Sequence, residues 1–209
     1  MKSSLKNMVL VLGTITLISS ACVGLVYMIT EKPIASAKEQ AVNDALAQVL
    51  PTYENIESET SESDGLQIKT YTALNAGEVV GYAIESASKS GFGGTIRLMV
   101  GFDKAGKIIN INVLEQKETP GLGTKMCDAE NPLLASFKEK SAAEVTMKVR
   151  KDGGDVDALT AATISSRAYT EAVARAYEAY KVASGLQSEA NAVSGATPQQ
   201  REEGGYDGK

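Results

Sequence analysis

From Met8 to Ile29 the chain runs for 22 residues without a charge. As a helix it would be roughly 33 Å long, enough to cross a bilayer core of about 30 Å. Lys2 and Lys6 precede the run, and Glu31 and Lys32 follow it and cancel. That asymmetry predicts a cytoplasmic N-terminus with the rest of the chain on the outer side. Ala35-Ser36-Ala37 has the small-x-small form of a signal-peptidase site. The apolar run exceeds the 7–15 residues of a signal core, which favours a retained anchor. It also continues past Cys22, which reads as a small apolar residue in the bilayer rather than a lipid-attachment site.

Beyond the anchor the period changes. Ser36 and Glu39 form a capping box, and Ala41, Val42, Ala45, Leu46, Val49 and Leu50 recur at helical spacing until Pro51. They predict a separate amphipathic helix. The acidic, Ser-rich stretch 54–64 predicts an exposed loop. Alternating apolar positions predict strands over 66–74 and 78–85, joined by a turn at Asn75-Ala76-Gly77. A Ser/Gly loop over 86–94 leads to strands over 95–102 and 108–114, and Val145, Met147 and Val149 suggest another short one. Tyr169, Val173, Ala176, Tyr177 and Tyr180 form the apolar stripe of a helix over 164–183, with Gly185 as its C-cap. A tail over 186–209, poor in large apolar residues, predicts disorder. The organisation expected is an anchor over 1–33, one domain over 34–185 and the tail.

Composition narrows the chemistry. The net charge is −5 and the pI about 5.0, which argues against a nucleic-acid surface. With no histidine, Ser-His and Cys-His nucleophiles are excluded. Two distant cysteines, Cys22 and Cys127, cannot make a four-ligand zinc site. Redox chemistry here needs a borrowed cofactor. The informative segment is 157–166, where Thr163, Ser165 and Ser166 stand at the entry of the long helix. Their hydroxyls and the free N–H groups of a helix start suit a phosphate; a ligand-free Ser/Thr cap accounts for them equally well. Glu118-Thr119-Pro120-Gly121-Leu122-Gly123 reads either as a tight structural turn or as one wall of a binding site.

The same residues carry a family resemblance. Asp157, Thr160, Ala162 and Thr163 match the D-x-x-(S/T)-G-A-T flavinylation motif of the FMN-binding domain family, with Ala161 standing where the family has Gly. The E-T-P-G-L-G loop matches without a gap, and Gly91-Phe92-Gly93-Gly94 and the 103–108 hairpin resemble the family's glycine loop and turn. In order and extent, about residues 5–183, the chain is similar to the G-subunit family of Rnf (Rsx) electron transport complexes. The C subunit of the sodium-translocating NADH:quinone oxidoreductase is a further relative.

The resemblance implies an α+β fold: one N-terminal transmembrane helix followed by a single FMN-binding domain. It implies FMN joined to Thr163 by a flavin transferase through a phosphoester. Asp157, Thr160, Ala162, Ser165, Ser166, Glu118, Thr119, Gly121, Leu122 and Gly123 are the expected cofactor-binding residues, with no catalytic or metal-binding residue. Gly121 and Gly123 would allow close backbone approach to the flavin, and Lys125 would lie near it. The implied role is an electron relay in an ion-translocating ferredoxin:NAD oxidoreductase of the cytoplasmic membrane, partnered by the other Rnf subunits. A stand-alone extracytoplasmic flavin reductase and a non-redox assembly protein are the alternatives. Ser194-Gly195-Ala196-Thr197 spells the tetrapeptide better, yet Asn191 replaces the Asp and Pro198 follows, so Thr163 is the expected acceptor.

Overall fold

The computed structural model describes residues 4–186. The chain divides into two compact units, 1–44 and 45–209. The first consists, in its described part, of helix α1, Leu5–Val49, whose last turn belongs to the second unit. The Met8–Ile29 segment is apolar on all sides and solvent-exposed throughout, as a helix solvated by lipid would be. Several of its hydroxyls bond within the helix: Thr14 donates to the Leu10 carbonyl and Ser20 to the Thr16 carbonyl, both at 2.8 Å.

The capping box at Ser36 and Glu39 does not begin a new helix, because α1 passes through it unbroken. A cap is used only where the preceding backbone is non-helical, and residues around Ala35, Ala37 and Lys38 are strong helix formers. Pro33 lies inside the helix and forgoes one backbone bond.

The second unit is built on an antiparallel sheet with strands in chain order. These are β1 (Asn55–Ser63), β2 (Leu66–Asn75), β3 (Glu78–Ser88), β4 (Ile96–Asp103) and β5 (Ile108–Glu115). The four apolar strands arise where alternation predicts them, and β3 runs on to Ser88. The stretch expected to be a loop is instead edge strand β1, paired with β2 from Asn55↔Leu74 to Ser63↔Leu66. Its side chains are almost all exposed, so no apolar alternation marks it. The Asp64-Gly65 turn sets its register: φ is +53° and +67°, the twist that two-residue hairpins require. Ala76 and Gly77 make the same kind of turn between β2 and β3. Glutamates on β1 keep this free edge from pairing with other chains.

Helix α3 (Thr163–Ala183) packs its predicted stripe on one face of the sheet. Tyr180 stacks on Phe102 with centroids 4.8 Å apart and meets Tyr82 edge-on at 5.4 Å. Such pairs each contribute about 0.5–1.5 kcal/mol beyond area burial. The Tyr180 hydroxyl donates to the Lys104 carbonyl at 3.1 Å. Gly185 ends the helix at φ +80°. The end of α1 lies on the other face, where Gly101 makes room for it: a Cβ there would fall 1.9 Å from the Val49 carbonyl oxygen. Short helix α2 (Pro132–Phe137) closes the core, capped by Asn131, whose side chain accepts the Leu134 N–H at 2.8 Å.

Val145, Met147 and Val149 do not form a strand. Only Val149 makes a single bridge, to Val156. The loop folds on itself instead: Thr146 N–H donates to the Asp155 carboxylate at 2.8 Å, and Asp155 N–H returns to the Thr146 carbonyl. The expected tail and its Ser194–Thr197 segment lie outside the described residues, apart from Leu186.

Candidate functional site

Three segments meet at one end of the sheet. The Gly91–Gly94 loop joins β3 to β4, the 116–122 loop leaves β5 for a 3-10 turn (Gly123–Cys127), and the third segment is the entry to α3. Arg97 at the start of β4 pairs with Glu85 on β3 and with Glu115 on β5, tying together the strand ends that carry both loops. Ser88 donates to the Glu171 carboxylate at 2.9 Å, which fixes the base of the first loop to α3.

Between these segments lies an open cleft of about 380 Å³. Phe92 lines it from the first loop, Thr119, Leu122 and Gly123 from the second, and Ala161 to Ser165 from the third. Phe92 is 70% exposed, Ile164 48% and Leu122 40%, so three large apolar side chains that the core does not use rim one cleft. Apolar walls with a few convergent polar groups are what a cofactor pocket requires.

The acceptor segment is shaped by unusual backbone. Ala161 has φ +61°, a conformation natural to glycine and strained by about 1–2 kcal/mol in other residues. Ala162 is the N-cap of α3 and has no side chain able to cap it. The first N–H groups of the helix are therefore left without a side-chain acceptor. Thr163, the first helical residue, is half-buried, and its hydroxyl makes no hydrogen bond among the described residues.

Thr163, Ala162, Ser165, Thr119, Leu122 and Gly123 are brought together in the cleft. Glu118 is buried directly behind its wall, 5% exposed. Gly121 shapes the turn at φ +74°, and its N–H donates to the Thr124 hydroxyl at 2.9 Å. Glu118 and Gly121 do not themselves line the cleft, and three further expected residues do not either. Ser166 is fully buried: its hydroxyl accepts the Leu159 N–H at 2.9 Å and donates to the Ala162 carbonyl at 2.8 Å. Asp157 pairs with Arg150, and its N–H donates to Ser136 Oγ at 2.9 Å. Thr160 is exposed. Lys125 is exposed and does not line the cleft either. Phe92 and Ile164 are cleft residues that sequence reasoning did not single out. Their signal is position: one sits between the glycines of its loop, the other follows Thr163 directly.

Two carboxylates in the loop before α3 are held by fixed donors. Arg167 binds Asp152 through two hydrogen bonds of 2.7 Å and holds that carboxyl below the usual range. Backbone and side-chain hydrogen bonds from Thr146 do the same for Asp155. Desolvation, helped by Asp128, pushes the Cys127 thiol above its ordinary range. No group of metal-ligating side chains occurs among the described residues.

The comparisons with known proteins agree with this geometry. The FMN-binding domain family matches residues 91–178, and the RnfG N-terminal region matches residues 1–49. The G subunit of the ion-translocating oxidoreductase complex of Shewanella amazonensis is 35% identical over 187 residues, 83% of this chain and 86% of its own. The chain belongs to the G-subunit family of ion-translocating oxidoreductase (Rnf) complexes. Its counterpart in Vibrio vulnificus is 33% identical, covering 79% of this chain and 85% of its own. The one from Pseudomonas aeruginosa is 32% identical, covering 84% and 87%. Family membership and the apolar α1 make this a single-pass membrane protein with an FMN-binding domain, an electron-transfer subunit of such a complex.

The residues present fit an FMN. The uncapped N–H groups at the start of α3 suit its phosphate, and the apolar rim suits its ring system.

Proposed function

We propose that the chain carries FMN on Thr163 through a phosphoester and relays electrons within an ion-translocating ferredoxin:NAD oxidoreductase. The observation that carries this reading is the Thr163 hydroxyl. It makes no hydrogen bond among the described residues, lines the cleft and stands at the uncapped start of α3. On attachment, by a flavin transferase, the threonine oxygen would attack the flavin-side phosphorus of a pyrophosphate-linked flavin dinucleotide. The Thr163 O–P bond forms as the P–O bond to the second phosphate breaks, the nucleoside monophosphate leaves with that oxygen, and the threonine proton is released. FMN held there supplies electron-transfer chemistry that no side chain of this protein offers.

The protein's own contribution is to bind and orient. The N–H groups of Thr163, Ile164 and Ser165 donate toward the phosphate, where the helix dipole favours negative charge. Phe92, Leu122 and Ile164 keep water from the ring, and Thr119 offers a hydroxyl to its polar edge. The covalent bond prevents loss of the cofactor on the outer side of the cytoplasmic membrane, the side that Lys2 and Lys6 favour for the domain. The acceptor is tested by flavin fluorescence of the denatured chain after electrophoresis. Wild-type protein from its native membranes should fluoresce and the Thr163→Ala variant should not; fluorescence retained in the variant would overturn the assignment.

A further inference from the structure

Glu118 is a buried carboxylate with an unusual setting. Among the described residues no cation pairs with it. One oxygen accepts the Gly93 N–H at 3.0 Å, and the other accepts the Ser165 hydroxyl at 2.5 Å. Gly93 belongs to the first wall of the cleft, Glu118 to the second and Ser165 to the third. The side chain is thus a bracket joining all three.

Three glycines of the two sequence motifs, Gly91, Gly93 and Gly123, lie against this side chain or the backbone beside it. A Cβ on Gly91 would lie 2.7 Å from Glu118 Oε1. A Cβ on Gly123 would lie 2.7 Å from Glu118 Cβ and 2.8 Å from Ser165 Oγ. Gly93 presses its backbone on the carbonyl of Lys117, the residue before Glu118, where a Cβ would be 1.8 Å away. These three positions are closed to larger residues, at Gly93 and Gly123 by Glu118 and its neighbours and at Gly91 first by the Gly94 carbonyl oxygen, 2.2 Å from a Cβ, and then by Glu118. Phe92 sits between two of them, so the same contacts decide where its ring projects.

We propose that Glu118 is the positioning residue of the cleft. Its two accepted hydrogen bonds fix the Phe92 loop and the first turn of α3 relative to the E-T-P-G-L-G loop. The proposal rests on the reading of this cleft as the FMN site, but the bracket itself exists without the cofactor. What matters is that both contacts are made, and a glutamine can keep both with the second reversed in direction: its oxygen accepts from Gly93, and its amide donates to a rotated Ser165 hydroxyl.

Full-length Glu118→Ala, Glu118→Gln and Ser165→Ala proteins are compared with the parent, each with Thr163 intact and in a Thr163→Ala background. Amide exchange of the Gly93–Gly94 segment is read in the Thr163→Ala background. Visible circular dichroism of the bound flavin is read with Thr163 intact. Glu118→Ala should accelerate exchange by about tenfold or more and alter the flavin signal. Glu118→Gln should match the parent in both, and Ser165→Ala should leave Gly93 protected. Parent-like exchange in Glu118→Ala would overturn the proposal. So would a Glu118→Gln protein as impaired as Glu118→Ala, or Gly93 exposure in Ser165→Ala equal to that in Glu118→Ala. If the FMN reading fails, the parent carries no flavin and the exchange pattern stands; if the bracket fails, the parent is flavinylated and the exchange pattern is flat.

Discussion

Ser166 Oγ accepts the backbone N–H of Leu159 at 2.9 Å and donates to the Ala162 carbonyl at 2.8 Å, closing the loop that presents Thr163. Both bonds are buried. Ser166→Ala leaves the Leu159 N–H without a partner, which costs about 1–3 kcal/mol. Thermal unfolding should show that loss, with a lower flavin content at saturating transferase. Unchanged stability and full loading would show that the loop holds its shape by other means.

Ala161 occupies a left-handed position, φ +61°, where the family resemblance has glycine. Ala161→Gly should relieve strain that exceeds the entropy cost of glycine, a net gain of roughly 0.5–1 kcal/mol. Ala161→Val should destabilise, because branching at Cβ worsens the same conformation. A melting temperature that falls with glycine would contradict the strain.

Gly93 and Gly121 separate two uses of glycine. A Cβ on Gly93 would lie 1.8 Å from the Lys117 carbonyl oxygen, whereas Gly121 at φ +74° has open space around it. Gly93→Ala should cost about 3 kcal/mol or more and abolish loading, because backbone must move. Gly121→Ala should cost only about 1–2 kcal/mol, from its dihedral alone. Equal effects in denaturant titrations would contradict this distinction.

Much of the fold was legible because apolar residues alternate in β2 to β5 and recur every three to four positions in α3. Strand β1 was hidden because Glu57, Ser58, Glu59 and their neighbours bury almost nothing; the backbone ladder holds it, and Asp64-Gly65 was its one local sign. The continuity of α1 was hidden by Ser36 and Glu39, which spell a cap that the helix does not use. At the site, Thr163 and the E-T-P-G-L-G loop were visible as motifs. The bracket made by Glu118 was not, since Gly93 and Ser165 lie on segments that only the fold brings together; the contacts of Ser166 to Leu159 and Ala162 are local, but no motif marks them. Ser166 looked like a phosphate ligand because hydroxyl content does not reveal which face of a helix is buried.

Asp152 and Asp155 contribute to the acid response. Hydrogen bonds from Arg167 and from Thr146 hold their carboxyls below the ordinary range in the folded state. Folded values below the unfolded value of about 3.9 mean that their stabilisation is present above that pH. It is lost as pH falls through the folded values. Melting temperature should drop below about pH 4, and Asp155→Asn should flatten that drop while lowering the plateau at neutral pH. A slope unchanged in Asp155→Asn would show that the carboxylate does not contribute.

The central claim is the flavin on Thr163. Peptide mass spectrometry of the protein from its native membranes, beside the Thr163→Ala variant, tests it most directly. The FMN mass should appear on the peptide containing Thr163 and be lost in the variant. FMN on the peptide containing Thr197, or on no peptide, would contradict it.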